Sequence, residues 1–144
     1  LDEAYPEPAL LPGTAADRAR IRALALAIAC EIHPLNNLRV LKYLAARPDA
    51  SEAATNAWVR HWVEMGLATV EQMLIRDPCI GDYCHGDSPT LADCCLVPQI
   101  FNARRFGCRL DRLPRLLRID ERCMALDAFR RAAPDAQPDS TQSA

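Results

Sequence analysis

The sequence lacks the features that mark several large protein classes. Its longest uninterrupted apolar run, 23–30, has eight residues, whereas a helix that spans a bilayer needs about 20. No basic stretch leads into an apolar one at the start of the chain, so no secretory signal is visible. The formal net charge of −2 argues against a nucleic-acid-binding protein, which would carry a basic patch. We therefore expect a cytoplasmic protein that binds neither membranes nor nucleic acid.

Strand signals are missing as well. β-branched and polar residues do not alternate in any segment, and neither an Asn-Gly nor an Asp-Gly hairpin turn occurs. Internal repeats of the kind that build solenoids are not visible either. With 144 residues, half of them hydrophobic, the chain is long enough to bury a core. The sequence predicts one all-α domain.

The seven cysteines are an odd number and lie scattered along the chain, unlike the cysteines of a disulfide framework. We interpret them as reduced thiols that act mostly as small buried hydrophobic residues. Cys79, Cys84 and His85 form a local cluster that could be combined with Cys94 or Cys95 into a zinc site. Zinc ligands normally come as paired knuckles, and the sequence does not offer them, so we expect no metal.

Helix start signals recur along the chain. Thr14 and Asp17 form a capping-box pattern ahead of apolar residues spaced three or four apart, which predicts an amphipathic helix over about 15–46. Pro34 lies inside it and has no N–H to donate, so we expect a kink near His33.

Three further start signals divide the rest of the chain. Asp49 and Glu52 precede a helix whose apolar stripe is predicted at 54, 58, 62, 65 or 66, 69 and 73. Thr90 and Asp93 form another capping box before a nearly all-apolar helix, which we expect at the centre of the core. Pro114 suits the first turn of a helix. The predicted helices are 51–76, 91–106, 114–124 and 127–132.

The composition also indicates three regions. Residues 1–13 are rich in proline and predict an extended linker. Residues 14–133 form the helical domain, and 134–144 read as a frayed tail.

Two basic segments carry the candidate binding residues. Segment 102–123 holds seven arginines against three acids and contains Arg105; segment 14–46 holds five bases against two acids. If the two segments pack together, they enclose a cationic site. His33, Asn36, Asn37 and Arg39 lie within two helical turns, and the i, i+4 spacing puts His33 and Asn37 on one face. Either these residues bind a polar ligand, or the two asparagines satisfy backbone groups that the kink opens.

Catalytic motifs are absent. The sequence has no Gly-rich phosphate loop, no G-x-S-x-G and no H-E-x-x-H. Cys84 and His85 are adjacent, but sequence neighbours on a turn rarely form a catalytic pair. We expect no catalytic residue within this chain.

Four blocks of the sequence resemble the C-terminal helical domain of zeta-class glutathione transferases, and within that class the bacterial maleylpyruvate and maleylacetoacetate isomerases. Shorter matches at 128–129 and 137–139 agree, and the resemblance covers essentially the whole chain in order. The blocks are YCHGDSPTLAD at 83–93, LVPQ at 96–99, NARRF at 102–106 and IHPLNNLRVL at 32–41.

The resemblance implies a fold, a reaction and site residues. In this family a thioredoxin-like domain binds glutathione, and the helical domain completes the pocket of a cytoplasmic homodimer. Glutathione thiolate adds to the cis double bond of a maleyl-type diacid, which then rotates to the fumaryl isomer. Carried over by position, Arg105 and Arg39 would bind substrate carboxylates, and His33 and Asn37 would contact glutathione.

The chain departs from the family pattern at its start, where residues 1–6 resemble the end of the thioredoxin-like domain and the rest of that domain is not seen. We expect these 144 residues alone not to catalyse the isomerisation. Two other functions stay open: a helical protein-interaction module, and a zeta-class transferase that acts on haloacids. The residues do not distinguish maleylpyruvate from maleylacetoacetate as substrate.

Overall fold

The computed structural model describes residues 2–48, 50–138 and 140. Over these residues the chain is all-helical, as predicted, and none of its helices is long and apolar enough to cross a membrane. The helices, in chain order, are α1 (Ala15–Leu26), a π-helical turn (Ala27–Ile32), a 3-10 turn (His33–Asn36), α2 (Leu38–Ala45), α3 (Glu52–Ile75), α4 (Leu91–Arg105), α5 (Pro114–Met124), α6 (Asp127–Ala132) and a last 3-10 turn (Pro134–Ala136).

The first helical stretch is broken where a single kinked helix was predicted. The backbone widens into the π-helical turn, in which the N–H of His33 donates to the carbonyl of Ile28, five residues back. The next residue, Pro34, has no N–H to donate, and in a regular helix its ring would clash with the carbonyl of the residue four positions before it. At Asn37 the chain is extended, with φ −66° and ψ 148°, and α2 begins anew. The segment 27–36 is therefore irregular helix joined to α1, and α2 is a separate element.

Helix α3 has nearly the predicted bounds but buries a different face. Its N-cap is Ser51, whose hydroxyl accepts from the N–H of Ala54 at 3.1 Å; the predicted start at Asp49 lies outside the described residues. The predicted stripe is wrong, since Trp58 and Trp62 are only half-buried and Met65 and Thr69 are exposed. The buried face is displaced by one residue and consists of Val59, Val63, Leu67, Val70, Glu71 and Leu74.

Helices α1 and α4 both begin with a capping box, as predicted. At α1, hydrogen bonds from Thr14 lower the pKa of the Asp17 carboxyl. At α4 the box is buried: Asp93 accepts from the backbone N–H of Thr90 at 2.7 Å and from its hydroxyl at 2.8 Å. A third donor, the N–H of Cys84 at 2.9 Å, ties the preceding loop to the same carboxylate. Helix α4 is central but not wholly buried, because Cys94, Pro98, Arg104 and Arg105 are exposed.

The N-terminus of α5 is capped from another helix. Pro114 has no N–H and Leu113 has no side-chain acceptor, so the first turn lacks a local cap. The buried carboxylate of Glu71 accepts from the N–H groups of Arg115 at 3.2 Å and Leu116 at 3.0 Å. This contact fixes α5 against α3.

The cysteines do not all behave as small buried residues. The prediction holds for Cys84 and Cys123 and is wrong for Cys30, Cys79 and Cys94, which are exposed.

The described residues of the predicted linker and tail make hydrogen bonds of their own. Residues 2–13 form no regular helix. The carbonyl of Leu10 in this segment accepts from the N–H of Leu91 at 2.9 Å. The segment predicted as a frayed tail begins with the 3-10 turn Pro134–Ala136. After this turn, the side-chain NH₂ of Gln137 donates to the carbonyls of Arg131 and Ala133.

Candidate functional site

A groove of about 410 Å³ lies between the irregular segment 27–36 and α4. Its wall carries His33 and Asn36 from the segment and Gln99, Asn102 and Arg105 from α4. The volume is in the range of small-molecule sites, about 300–1,000 Å³. The condition set by the sequence, that the two basic segments pack together, is thus met, and the structure brings His33 and Arg105 to the same groove.

Two side-chain amides of this groove are buried without a partner. The NH₂ groups of Asn36 and Gln99 find no hydrogen-bond acceptor among the described residues, although Asn36 is 8% exposed and Gln99 only 3%. An unsatisfied buried donor costs about 1–3 kcal/mol, and rotation of the amide toward a ligand oxygen in the groove would remove this cost. The amides therefore favour a polar, oxygen-rich ligand.

Sequence reasoning missed Gln99 as a site residue. The signal was present, because Gln99 lies on the buried face of α4 together with Leu96, Ile100 and Ala103. A lone amide on an otherwise apolar face must find a partner or face a ligand.

The two adjacent arginines at the end of α4 have different roles. Arg104 pairs with the buried Asp120, with 2.7 Å between Nη2 and Oδ2. Arg105 has no ion-pair partner among the described residues and lies 5.9 Å from the centre of the Phe106 ring. Its guanidinium is exposed and lines the groove. Arg105 is thus available for a ligand carboxylate, which its donor fork can bind in a bidentate manner.

Asn37 and Arg39 do not line the groove with His33. The side chain of Asn37 caps α2, with its oxygen 3.2 Å from the N–H of Arg39. The i, i+4 face assumed for His33 and Asn37 does not exist, because the 3-10 turn and the extended Asn37 replace regular helix between them. Asn36 takes the position in the groove instead. Asn37 therefore satisfies a backbone N–H after the break in the helix, whereas Asn36 lines the groove.

The thiol in the groove is not an activated nucleophile. Cys95 contributes to the wall, and burial raises the pKa of its thiol above the ordinary value. A protonated thiol is a poor nucleophile.

The comparisons with known proteins point to one family. No protein-family model matches the chain. The chain is 54% identical to a maleylpyruvate isomerase of a Ralstonia species, and the match covers 97% of this chain. A solved holo structure of maleyl pyruvate isomerase, described as a bacterial zeta-class glutathione transferase, superposes with a TM-score of 0.95 at 53% identity over 98% of this chain. The chain belongs to the zeta-class glutathione transferase family of maleylpyruvate and maleylacetoacetate isomerases. The resemblance inferred from its motifs is confirmed.

The match covers part of each relative. The chain spans 66% of the length of the Ralstonia protein and 66% of the zeta-class structure. It spans 72% of a solved maleylpyruvate isomerase of Pseudomonas aeruginosa, to which it is 47% identical. A maleylacetoacetate isomerase of Anaeromyxobacter dehalogenans was solved with dicarboxyethyl glutathione and citrate bound in its active site. It superposes with a TM-score of 0.90 at 45% identity, and the match covers 96% of this chain and 62% of that one.

Proposed function

We propose that this chain forms the substrate-binding helical part of a glutathione-dependent isomerase that converts maleylpyruvate or maleylacetoacetate into its fumaryl isomer. The observation that carries the proposal is the groove in which the uncommitted guanidinium of Arg105 and the unpartnered amides of Asn36 and Gln99 come together. Family membership supports the same reaction, as does the dicarboxyethyl glutathione bound in a relative.

The residues of the groove suit a short anion with several carboxylate or carbonyl oxygens. Arg105 supplies a charged donor fork for one carboxylate. Asn36 and Gln99 are further candidate donors for ligand oxygens. Their NH₂ groups have no partner among the described residues but lie beneath the groove surface, so each side chain has to rotate toward the ligand to donate to it.

The same chemistry fits glutathione, whose peptide carbonyls and carboxylates also accept hydrogen bonds. When bound, glutathione supplies the thiolate that makes rotation about the cis double bond possible. In this chain we propose His33, which lines the groove, and Asn37 as its contacts, and Arg39 as a second ligand for the substrate carboxylates. Because neither Asn37 nor Arg39 lines the groove, these two contacts require ligands that extend beyond it. Asn37 can donate through its NH₂ while its oxygen caps α2. The guanidinium of Arg39 has no ion-pair partner among the described residues, so it is available for this role.

The assembly is part of the proposal. A homodimer in the cytoplasm and a lack of catalysis by residues 1–144 on their own stay predictions. Analytical ultracentrifugation tests whether the protein is a homodimer. The isomerase assay described next, repeated on the isolated 144 residues, tests whether they lack catalysis on their own.

An isomerase assay tests the proposed function directly. The protein that carries these residues is incubated with maleylpyruvate or maleylacetoacetate, with and without glutathione, and the fumaryl product is measured. We expect glutathione-dependent conversion of at least one diacid, faster than glutathione-dependent dehalogenation of a chlorinated carboxylic acid. Faster dehalogenation would favour a haloacid transferase, and no turnover of any of these substrates would favour an interaction module.

A further inference from the structure

Three potential metal ligands meet away from the groove. Asp17, Cys79 and His85 bring a carboxylate oxygen, a thiol sulfur and an imidazole nitrogen to within 4.8 Å of one another. In the described part of the chain no other such group of three is found. The cluster weighed from the sequence contained Cys84, which is buried in the loop before α4 and donates its N–H to Asp93. Its place is taken by Asp17, which no local spacing could reveal.

The loop that carries two of these ligands is held in shape by its backbone. The carbonyl of Cys79 accepts from the N–H of Gly86 at 2.8 Å, and the carbonyl of Gly86 accepts from the N–H of Tyr83 at 3.1 Å. Gly81 lies so close to this crossing that a Cβ there would be 2.3 Å from the Gly86 carbonyl oxygen. Closing the loop at 79 and 86 puts the side chains of Cys79 and His85 side by side.

The loop is also fastened to the helix that carries the third ligand. Arg20 of α1 donates to the Asp77 carboxylate and, at 2.7 Å, to the carbonyl of Met73. The other oxygen of Asp77 accepts from the N–H of Cys79 at 2.9 Å. Asp17 lies three residues before Arg20, on the same face of α1. One face of α1 therefore fixes both the start of the loop and the position of Asp17.

The orientation of the Asp17 carboxylate suits metal binding. One oxygen of Asp17 is occupied by the N–H and hydroxyl of Thr14, at 2.8 and 2.7 Å, which leaves the other oxygen 3.5 Å from Nε2 of His85. Hydrogen bonds of this kind to a ligand carboxylate are typical of metal sites, where they fix the ligand's direction. The His85 side chain is 12% exposed, whereas Cys79 is exposed, so the cluster opens to solvent on the cysteine side.

We propose that Asp17, Cys79 and His85 bind one divalent cation of the zinc type, with water as the fourth ligand. Thiolate, imidazole and carboxylate are the zinc ligands of proteins. On binding, the Cys79 thiol releases its proton to solvent, and thiolate and carboxylate together balance the charge of the ion. Bonds of about 2.0–2.3 Å require the ligand atoms to approach by rotation of side chains, chiefly that of exposed Cys79, while the backbone stays in place.

The bound ion would join the loop 77–86 to the first turn of α1. This role is structural and separate from the groove, so it does not depend on the proposed isomerase activity. An ion that binds only the folded protein raises its melting temperature in proportion to the logarithm of the ion concentration above Kd.

The experiment uses the protein that carries these residues, stripped with a chelator and kept reduced. Zn²⁺ binding is measured by calorimetry, and Co²⁺ serves as a spectroscopic probe because a thiolate ligand gives a sulfur-to-cobalt charge-transfer band. The variants are Cys79→Ser and His85→Gln. Cys30→Ser, which removes an exposed thiol outside the cluster, is the matched control.

We expect one equivalent of Zn²⁺ per chain, a cobalt–thiolate band and a raised melting temperature. Cys79→Ser and His85→Gln should each weaken binding about 100-fold or more, since even the loss of an outer partner costs about 10–100-fold. Cys79→Ser should also abolish the charge-transfer band, and Cys30→Ser should change none of these. Absence of Zn²⁺ binding to the parent protein, or binding and band that persist in Cys79→Ser, would overturn the proposal.

Discussion

Asn36 and Gln99 come from different helical segments and line the same groove, and the NH₂ group of each is buried without a hydrogen-bond partner among the described residues. Such donors lower the stability of the free protein and favour a ligand with oxygen acceptors. This pair connects the fold to the proposed function, because a groove filled only by apolar side chains would be more stable.

Replacing Gln99 by methionine should separate stability from function. Gln99→Met conserves volume and removes the unsatisfied donor, so the free energy of unfolding should stay unchanged or rise. In the isomerase assay we expect kcat/KM for the diacid to fall about tenfold, because one hydrogen bond to the ligand is lost. Denaturant unfolding and steady-state kinetics of the same preparation check both. Loss of stability together with unchanged kinetics would show that the amide has a structural partner.

Replacing Glu71 should loosen α5. Glu71→Gln leaves one acceptor for two backbone donors and turns an NH₂ group toward one of them, so we expect a loss of about 2 kcal/mol in the free energy of unfolding. Glu64→Gln is the control, since Glu64 also accepts from a backbone N–H, that of Arg109 at 2.9 Å, but is more exposed. Equal effects of the two substitutions in urea unfolding would contradict the role given to Glu71.

The two capping boxes should differ in importance. Asp93→Asn removes an acceptor from three donors in a buried site, and we expect a loss of about 3 kcal/mol. Asp17→Asn alters the same motif at a solvent-exposed helix end, so its effect should be clearly smaller when measured in the presence of a chelator. Chemical denaturation of the two variants decides this, and a larger effect at Asp17 would refute the comparison.

Alkaline pH should destabilise the protein through its buried thiols. Burial, with Asp93 and Asp120 nearby, raises the pKa of Cys123 from 9.0 to about 12. The folded state thus keeps its proton where the unfolded chain has lost it, so this contribution to stability is complete below pH 9 and is lost as the pH rises toward 12. The melting temperature of Cys123→Ala should fall less steeply over this range than that of the parent protein. Parallel slopes would contradict this origin.

Much of the fold was predictable because helix signals are local. Thr90 and Asp93 mark the start of α4, and Pro114 marks that of α5, within one residue of the observed bounds. The buried face of α3 was not predictable from its aromatic residues, since both tryptophans lie at its edge. The Nε1–H of Trp58 donates to the carbonyl of Leu35 at 2.8 Å, a long-range contact that the pattern of one helix does not contain.

The site was predictable only in part, for the same reason. His33 and Arg105 follow from motif and charge, and they do share the groove. That Asn36 and not Asn37 lines the groove depends on the backbone, which departs from regular α-helix over the ten residues 27–36. Gln99 could have been found from its helical spacing to Leu96, Ile100 and Ala103. The meeting of Asp17 with Cys79 depends on how a helix and a loop pack, which spacing along the chain does not show.

The measurement that tests the central claim most directly is the kcat/KM of Arg105→Ala for the diacid, in the protein that carries these residues. Loss of a charged hydrogen bond costs about 1.5–3 kcal/mol, so we expect a fall of roughly 10- to 150-fold. Arg109→Ala, which removes an exposed arginine paired with Glu64, should leave kcat/KM within about twofold, because surface ion pairs contribute little. A value for Arg105→Ala that is also within about twofold of the parent protein would show that the groove does not bind the substrate carboxylate.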